Sequence, residues 1–565
     1  MTNLMQISSM EKVLPKKECF FDEISEICVL QNECAAYQIA FKNEHKKKVF
    51  IKMESDIEDC IEMFSVGCVP VTLTTFESAF DDPDYISKEP GLFPDILMPI
   101  NNNTIEATGW YQSIWINIRG SDKCGVHKIK VTLITEDTSE SCEIKYEILP
   151  ITLPESNMVF TQWFHTDCVA KYYNVPVWSE KHWEYIEKFI QMAVKYGMNM
   201  ILTPLFTPPL DTEIGGERPT VQLIKVSVTD KGYTFDFENL KRWIRLCKKC
   251  GIQYFEMSHL FTQWGAKQTP KIIAEVNGTE RQIFGWNVSA TDENYKCFLK
   301  QFLPKLIVFL KSEDVYDKTY FHISDEPGEE NLGDYLNAKN ILLPYINEDK
   351  IIDAISDYEL YKNGVVKTPV VAIDHMNKFI GNVDDLWGYY CCMQLNGVSN
   401  RMIAMPSSRN RYIALQMFKF KLKGFLQWGY NYYYNELSRK MINPFFQTDG
   451  ECTYPAGDPF SVYPGDDGPI ASIRLVVFYH ALQDLSAMRL LAEHIGYDNT
   501  VKLIEKITGN IRFEKCTSDP NLIIKVRSAV NQKISEVCMS KNLQYQIVQS
   551  EASIHERNKT MSYTF

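Results

Sequence analysis

The feature that most constrains this chain is a change of rhythm after residue 157. From there apolar runs of strand length alternate with amphipathic helical stretches. Eight such runs are read, at 158–165, 199–203, 252–257, 319–324, 351–356, 369–374, 387–392 and 424–430. Strands separated by helices cannot pair as hairpins. They form a parallel sheet whose two faces are covered, which is why they are apolar throughout. Eight units over about 340 residues fit an α/β fold of the (β/α)8 TIM barrel type with long loops. An open doubly wound sheet is the alternative, but no GxGxxG opens the first strand-to-helix turn. No P-loop or GxSxG stands in a plausible place either.

The helical stretches carry their own end signals. Ser179 stands as a cap before "EKHWEYIEKFIQMAVKYG", and Gly197 closes it. A hairpin is read at "VQLIKVSVTDKGYTFDF", and 258–290 as a long loop. Ahead of this region, residues 1–152 show short alternating strands separated by turns, which suggests an accessory β-sandwich. The barrel is assigned to 153–495. Residues 496–565 form a helical C-terminal extension with a polar end expected to fray.

Charge and composition exclude several functions. The net charge of -13 argues against nucleic acid as a partner. No stretch approaches the ~20 apolar residues of a membrane span. No signal-peptide run is visible near the N-terminus, so a cytoplasmic location is expected. The 16 cysteines are scattered; Cys391 and Cys392 are adjacent, and Cys247 and Cys250 make a lone CxxC without a second ligand pair. They read as free thiols, with no metal and no cofactor. The sequence permits a homodimer.

In such a barrel the chemistry sits at the C-terminal ends of the strands. That rule collects Trp163, His165 and Asp167 after strand one, and His259 and Trp264 after strand three. Asp325 and Glu326 follow strand four, and Asp374 strand six. Tyr389 lies on strand seven, and Trp428, Asn431 and Asn435 on and after strand eight. Aromatic rings beside carboxylates and amides at one mouth suit a sugar, which offers both C–H faces and hydroxyls. The sharpest element is "FHISDEPG" (321–328). Adjacent residues on extended backbone point apart, so this pair cannot flank one bond as a nucleophile and acid about 5 Å apart. It can act together if the backbone turns and the substrate supplies the nucleophile, as a 2-acetamido sugar does. The alternative is that Asp325 caps a helix opened by Pro327 and Glu326 is solvated.

The motifs "WFHTDC" (163–168), "FTQWG" (261–265), "HISDEPG" (322–328), "KGFLQWGYN" (423–431), "YPAGDPFSVYPG" (454–465) and "SIRL" (472–475) occur in one order over about 160 to 490. In that order the chain resembles glycoside hydrolase family 123, the β-N-acetylgalactosaminidases, also known as the domain of unknown function 4091 group. The resemblance implies substrate-assisted retention. Asp325 would orient the acetamido group, and Glu326, with a raised pKa, would be general acid and then base. The substrate would be a terminal β-linked N-acetylgalactosamine on a glycan or glycosphingolipid-type oligosaccharide. Trp428 is a candidate floor for the sugar, or a barrel-core Trp. His165, Asp167, His259, Trp264, Asp374, Tyr389, Asn431 and Asn435 are candidate contacts. Asp458 and Tyr463 are candidates to close the site or to order their loop. "QWGYNYYYNE" departs from the Trp-rich sequence expected after strand eight. Two other readings stay open: an N-acetylglucosamine-specific hexosaminidase, and a non-catalytic carbohydrate-binding barrel.

Overall fold

The computed structural model describes residues 2–18, 20–43 and 46–561, with side chains from residue 4 to 540. The end of the C-terminal tail, where fraying is expected, lies outside the residues whose side chains are described. Near the N-terminus two five-stranded sheets face each other. The first orders its strands Thr2–Ser8, Ala35–Lys42, Tyr111–Ile118, Ile61–Val71 and Gly91–Pro99, all antiparallel. The second orders Glu26–Gln31, Ser139–Thr152, Gly125–Ile134, Lys48–Glu54 and Thr104–Glu106. Its strand Gly125–Ile134 buries every second side chain, because successive residues face opposite sides of a pleated strand. Tyr37, Ile39, Ile114, Ile116, Ile129, Val131 and Ile144 fill the space between the sheets.

The eight expected barrel strands are present and parallel: Val159–Gln162, Met200–Thr203, Tyr254–Met257, Thr319–Phe321, Ile352–Ala354, Thr368–Ala372, Trp387–Tyr389 and Gly424–Gln427. Strands one and eight pair with each other, which an open doubly wound sheet read in chain order would not do. The barrel is nearly closed: strands four and five meet through one backbone bridge, Phe321 with Ile351. Met200, Leu202, Ile352, Val370, Ala372 and Leu426 pack its interior. The expected hairpin forms from Lys225–Thr229 and Gly232–Asp236. The region read as a long loop, 258–290, holds a second hairpin, Ile272–Val276 with Thr279–Phe284. Strand Ile272–Val276 pairs with Lys225–Thr229, so the two hairpins share a sheet. Exposed polar residues, Glu275 on the first strand and the run Thr279 to Gln282 on the second, hid the strand pattern.

Sandwich and barrel share a core. Val69, Phe93 and Trp115 of the first sheet pack in one cluster with Ile186, Phe189 and Leu482 of barrel helices. A buried ion pair crosses the same boundary. Arg474, in the first turn of helix Ile473–Ile495, bonds Asp95 through Nε (2.9 Å) and Nη2 (2.8 Å). Its Nη1 donates to the carbonyls of Gly457 (2.6 Å) and Phe460 (2.8 Å). The C-terminal helix Pro520–Met561 returns to the sandwich, where Arg527 Nη2 donates to Glu33 (2.5 Å).

Removing Arg474 alone strands a fully buried carboxylate. Arg474→Met is expected to cost about 3–5 kcal/mol in equilibrium denaturation, and Arg474→Met/Asp95→Leu clearly less. A single variant as stable as wild type would contradict this account of the boundary.

Candidate active site

Strand four leaves the barrel at Phe321 and runs beside the loop that follows strand three. Leu260 and Phe261 donate their backbone N–H groups to the carbonyls of His322 (3.4 Å) and Ile323 (3.2 Å). Ser324 Oγ donates to Thr262 O (2.8 Å) and accepts from the N–H groups of Gly265 (3.2 Å) and Ala266 (3.1 Å). Trp264 N then donates to the carbonyl of Asp325 (2.9 Å). Gly265 is required here. Its φ is +105°, and a Cβ would lie 2.2 Å from Asn331 Cβ.

The dipeptide turns at this point. Glu326 has φ +41°, a left-handed conformation uncommon for a residue with a side chain. No helix follows directly, and the short 3-10 turn at Glu329–Asn331 has Gly328, not Asp325, at its cap position. The two carboxyls have different surroundings. Asp325 is half-buried, and its carboxyl takes no hydrogen bond among the described residues. Burial pushes it well above the usual carboxylate range, and the charge of Glu326 adds to this; His322 pulls the other way. Glu326 is exposed, and its Oε1 accepts from the Tyr389 hydroxyl at 2.6 Å.

Beneath them lies a closed charge network that the strand-end rule did not collect. His322 Nε2 bonds Glu256 Oε1 (2.6 Å), and Nδ1 bonds Asp353 Oδ1 (3.0 Å). Glu256 also accepts from Trp163 Nε1 (2.7 Å) and Thr161 Oγ1 (2.8 Å). Asp353 also accepts from Tyr335 OH (2.7 Å) and Ile323 N (3.2 Å). Burial works against the charge on His322, but the bonds to Asp353 and Glu256 outweigh it and hold its pKa up at about 10. His259 stacks on this imidazolium, 4.3 Å between centroids and 13° between planes. Burial and the charge of His322 keep His259 neutral. His259, His322 and Asp353 each bring a donor within 4.8 Å of the others, the spacing of a metal cluster. Yet His322 uses both nitrogens on carboxylates, and the lone pairs of two parallel rings cannot converge on one ion. The cluster is built as an ion pair.

An aromatic wall stands after strand eight. Half-buried Trp428 donates Nε1 to Asp458 Oδ2 (2.9 Å) and packs against Tyr432 (5.0 Å) and Tyr454 (5.3 Å). Asp458 is fully buried, which pushes its carboxyl up to about 7 although Arg401 and Trp428 pull it down. Trp264 stands exposed next to Asp325, and exposed Asp374 bonds Gln394 on the rim (3.1 Å).

Other residues named from the sequence use their polar atoms inside the protein. Asp167 is clasped by Arg218 at 2.8 and 2.7 Å and by Tyr434 OH at 3.1 Å. His165 is buried against the same guanidinium (3.1 Å); burial first, then Arg218, lower its pKa to about 3. Asn431 ties strand eight to strand one through the backbone of His165 (2.8 and 3.1 Å). Asn435 orders its loop through Glu451 (2.8 Å) and Lys440 N (2.7 Å). Tyr463 OH donates to Asp95 (2.5 Å), on the sandwich side.

Comparison with known proteins gives the lineage. The catalytic domain of glycoside hydrolase 123 matches residues 163–491. The chain belongs to glycoside hydrolase family 123. Among solved structures it is similar to a family 123 glycoside hydrolase from Clostridium perfringens, at 14% identity and a TM-score of 0.72. That likeness covers 96% of this chain and 99% of the other. A β-glucuronidase from Parabacteroides merdae also matches, at 10% identity and a TM-score of 0.31, over 80% of this chain and 50% of the other. No curated protein sequence matches the chain. As a member of this family the protein is a glycosidase, and among the described residues no helix is long and apolar enough to cross a membrane.

The network gives a signed pH dependence. His322 stays protonated to about pH 10 when folded, but an unfolded His loses its proton near pH 6.5. Its stabilisation is therefore full below about 6.5 and is lost as pH rises to about 10. The gap in unfolding free energy between wild type and His322→Gln is expected to narrow across that window. A gap that stays constant would contradict the assignment.

Proposed function

We propose that the protein removes terminal β-linked N-acetylgalactosamine by a retaining mechanism in which the substrate supplies the nucleophile. The observation that carries this is the unequal environment of two adjacent carboxyls at one turn. The acetamido carbonyl oxygen attacks the anomeric carbon and the glycosidic C–O bond breaks. Glu326 gives its proton to the departing oxygen. Half-buried Asp325, lacking an internal donor, accepts the acetamido N–H and steadies the oxazoline. Glu326 then takes a proton from water, which attacks the anomeric carbon and reopens the ring with net retention. Tyr389 holds Glu326 in place, and Trp428 offers a flat face to the sugar. The C. perfringens family 123 enzyme is described through glycolipid glycan hydrolysis, and a glycolipid or glycan end is the substrate proposed here.

Two variants separate the roles. Glu326→Gln is expected to lose about 10²-fold or more in kcat/KM on an unactivated glycan, and much less on a 4-nitrophenyl glycoside, whose leaving group needs little protonation. Asp325→Asn is expected to lose about 10²–10³-fold on both. Wild-type rates in both variants would sink the mechanism. Comparing the 4-nitrophenyl β-glycosides of N-acetylgalactosamine and N-acetylglucosamine tests the sugar.

The working pair holds one proton. Because burial first, and then the charge of Glu326, raise the proton affinity of Asp325, the alkaline limb of kcat/KM is expected above the ordinary carboxyl range. An alkaline limb inside that range would show that Asp325 does not share the working proton.

A further inference from the structure

Eight residues beyond strand two, on the same face of the barrel, stands a third carboxylate that the motifs did not mark. Asp211 has φ +39°, a strained conformation for a side-chain-bearing residue. The surroundings fix it there from three directions. Gln263, from the strand-three loop, accepts the Asp211 N–H. Ser438 Oγ (2.7 Å) and Tyr432 OH (3.3 Å), from the strand-eight loop, both donate to its carbonyl. Tyr454 OH donates to its Oδ2 (2.5 Å), and Tyr454 is the ring packed against Trp428.

The carboxylate itself is half-buried and has no salt-bridge partner among the described residues. The cation that acts on it, Arg218, directs its N–H groups to Asp167, to the Leu210 carbonyl and to His165. Asp211 in turn adds to the negative field at Asp325. A carboxyl kept short of solvent, without a counter-ion, on strained backbone and within electrostatic reach of Asp325 destabilises the unliganded protein, and its burial raises its proton affinity. It is compensated when a ligand brings donors. Glu326 is braced from strand seven by Tyr389, whereas Asp211 lies on the strand-two side beside the aromatic wall.

We infer that Asp211 is a substrate-binding residue that accepts ring hydroxyls of the terminal sugar seated on Trp428, and that it sets the preference between 4-epimers. This rests on the glycosidase reading above for the identity of the sugar, but not for the contact itself.

The test uses the full chain with two variants. Asp211→Asn keeps an acceptor for Tyr454; Asp211→Ala removes it. Intrinsic tryptophan fluorescence is titrated with free N-acetylgalactosamine, N-acetylglucosamine, galactose and glucose. Saturable binding is expected for wild type, weakened about tenfold or more by either variant, as for loss of a charge-assisted hydrogen bond. On the aryl glycosides KM should rise with kcat within about threefold, and the ratio between the two 4-epimers should shrink. Variants that bind as wild type, or lose kcat and melting temperature with KM unchanged, would overturn the inference. So would a wild type that binds none of these sugars. A wild type that binds, with weakened variants, but turns over neither glycoside would support Asp211 and sink the hydrolase mechanism instead.

Discussion

One imidazolium holds the weakest seam of the barrel. Strands four and five are the open ends of the barrel sheet and meet through an isolated backbone bridge; strands one and two share one ladder pair, and the other neighbours share three or four. Side chains replace the missing ladder. Asp353 of strand five accepts from His322, Ile323 and Tyr335, and His322 reaches across to Glu256 of strand three. Two buried carboxylates around one protonated ring are tolerable because every charge is hydrogen-bonded. The chain that leaves this seam is Ser324-Asp325-Glu326. The network thus fixes the point from which Asp325 and Glu326 turn into the mouth.

The sandwich takes part in the same architecture through one loop. Residues 454–465 carry Tyr454 and Asp458 on the side of Trp428, and Tyr463 on the side of Asp95. Arg474 holds that loop by two carbonyls while pairing with Asp95 of the sandwich. The aromatic wall is therefore braced from behind by the domain boundary. The position of Trp428 depends on the packing between the sandwich and the barrel.

The barrel was legible because each strand is a short apolar run between capped helices, such as "MNMILTP" before Pro204 or "TYFHIS" before Asp325. The strand at 319–324 ended early, at Phe321, because His322 to Ser324 bond side chains and a neighbouring loop instead of a ladder. Asp325 and Glu326 were readable from their place after that strand. The fates of His165 and Asp167 were not, since both are decided by Arg218, 51 residues or more away in an irregular loop. Asp211 was hidden for a related reason: "PPLDTEIGG" carries no motif, and only the fold brings Gln263, Ser438 and Tyr454 around it. Pattern reveals elements and strand ends. It does not reveal which distant side chain satisfies a polar group already in view.

In the reaction proposed above, the substrate's own acetamido oxygen is the nucleophile, steadied by Asp325. That role is tested most directly by hydrolysis of aryl β-galactosaminides whose N-acetyl group carries zero, one, two or three fluorine atoms. Each fluorine withdraws electrons from the carbonyl oxygen and leaves the glycosidic bond untouched. The expected result is a steep fall in kcat/KM with each fluorine. A rate that does not depend on fluorination would contradict it, because the nucleophile would then have to come from the protein or from water.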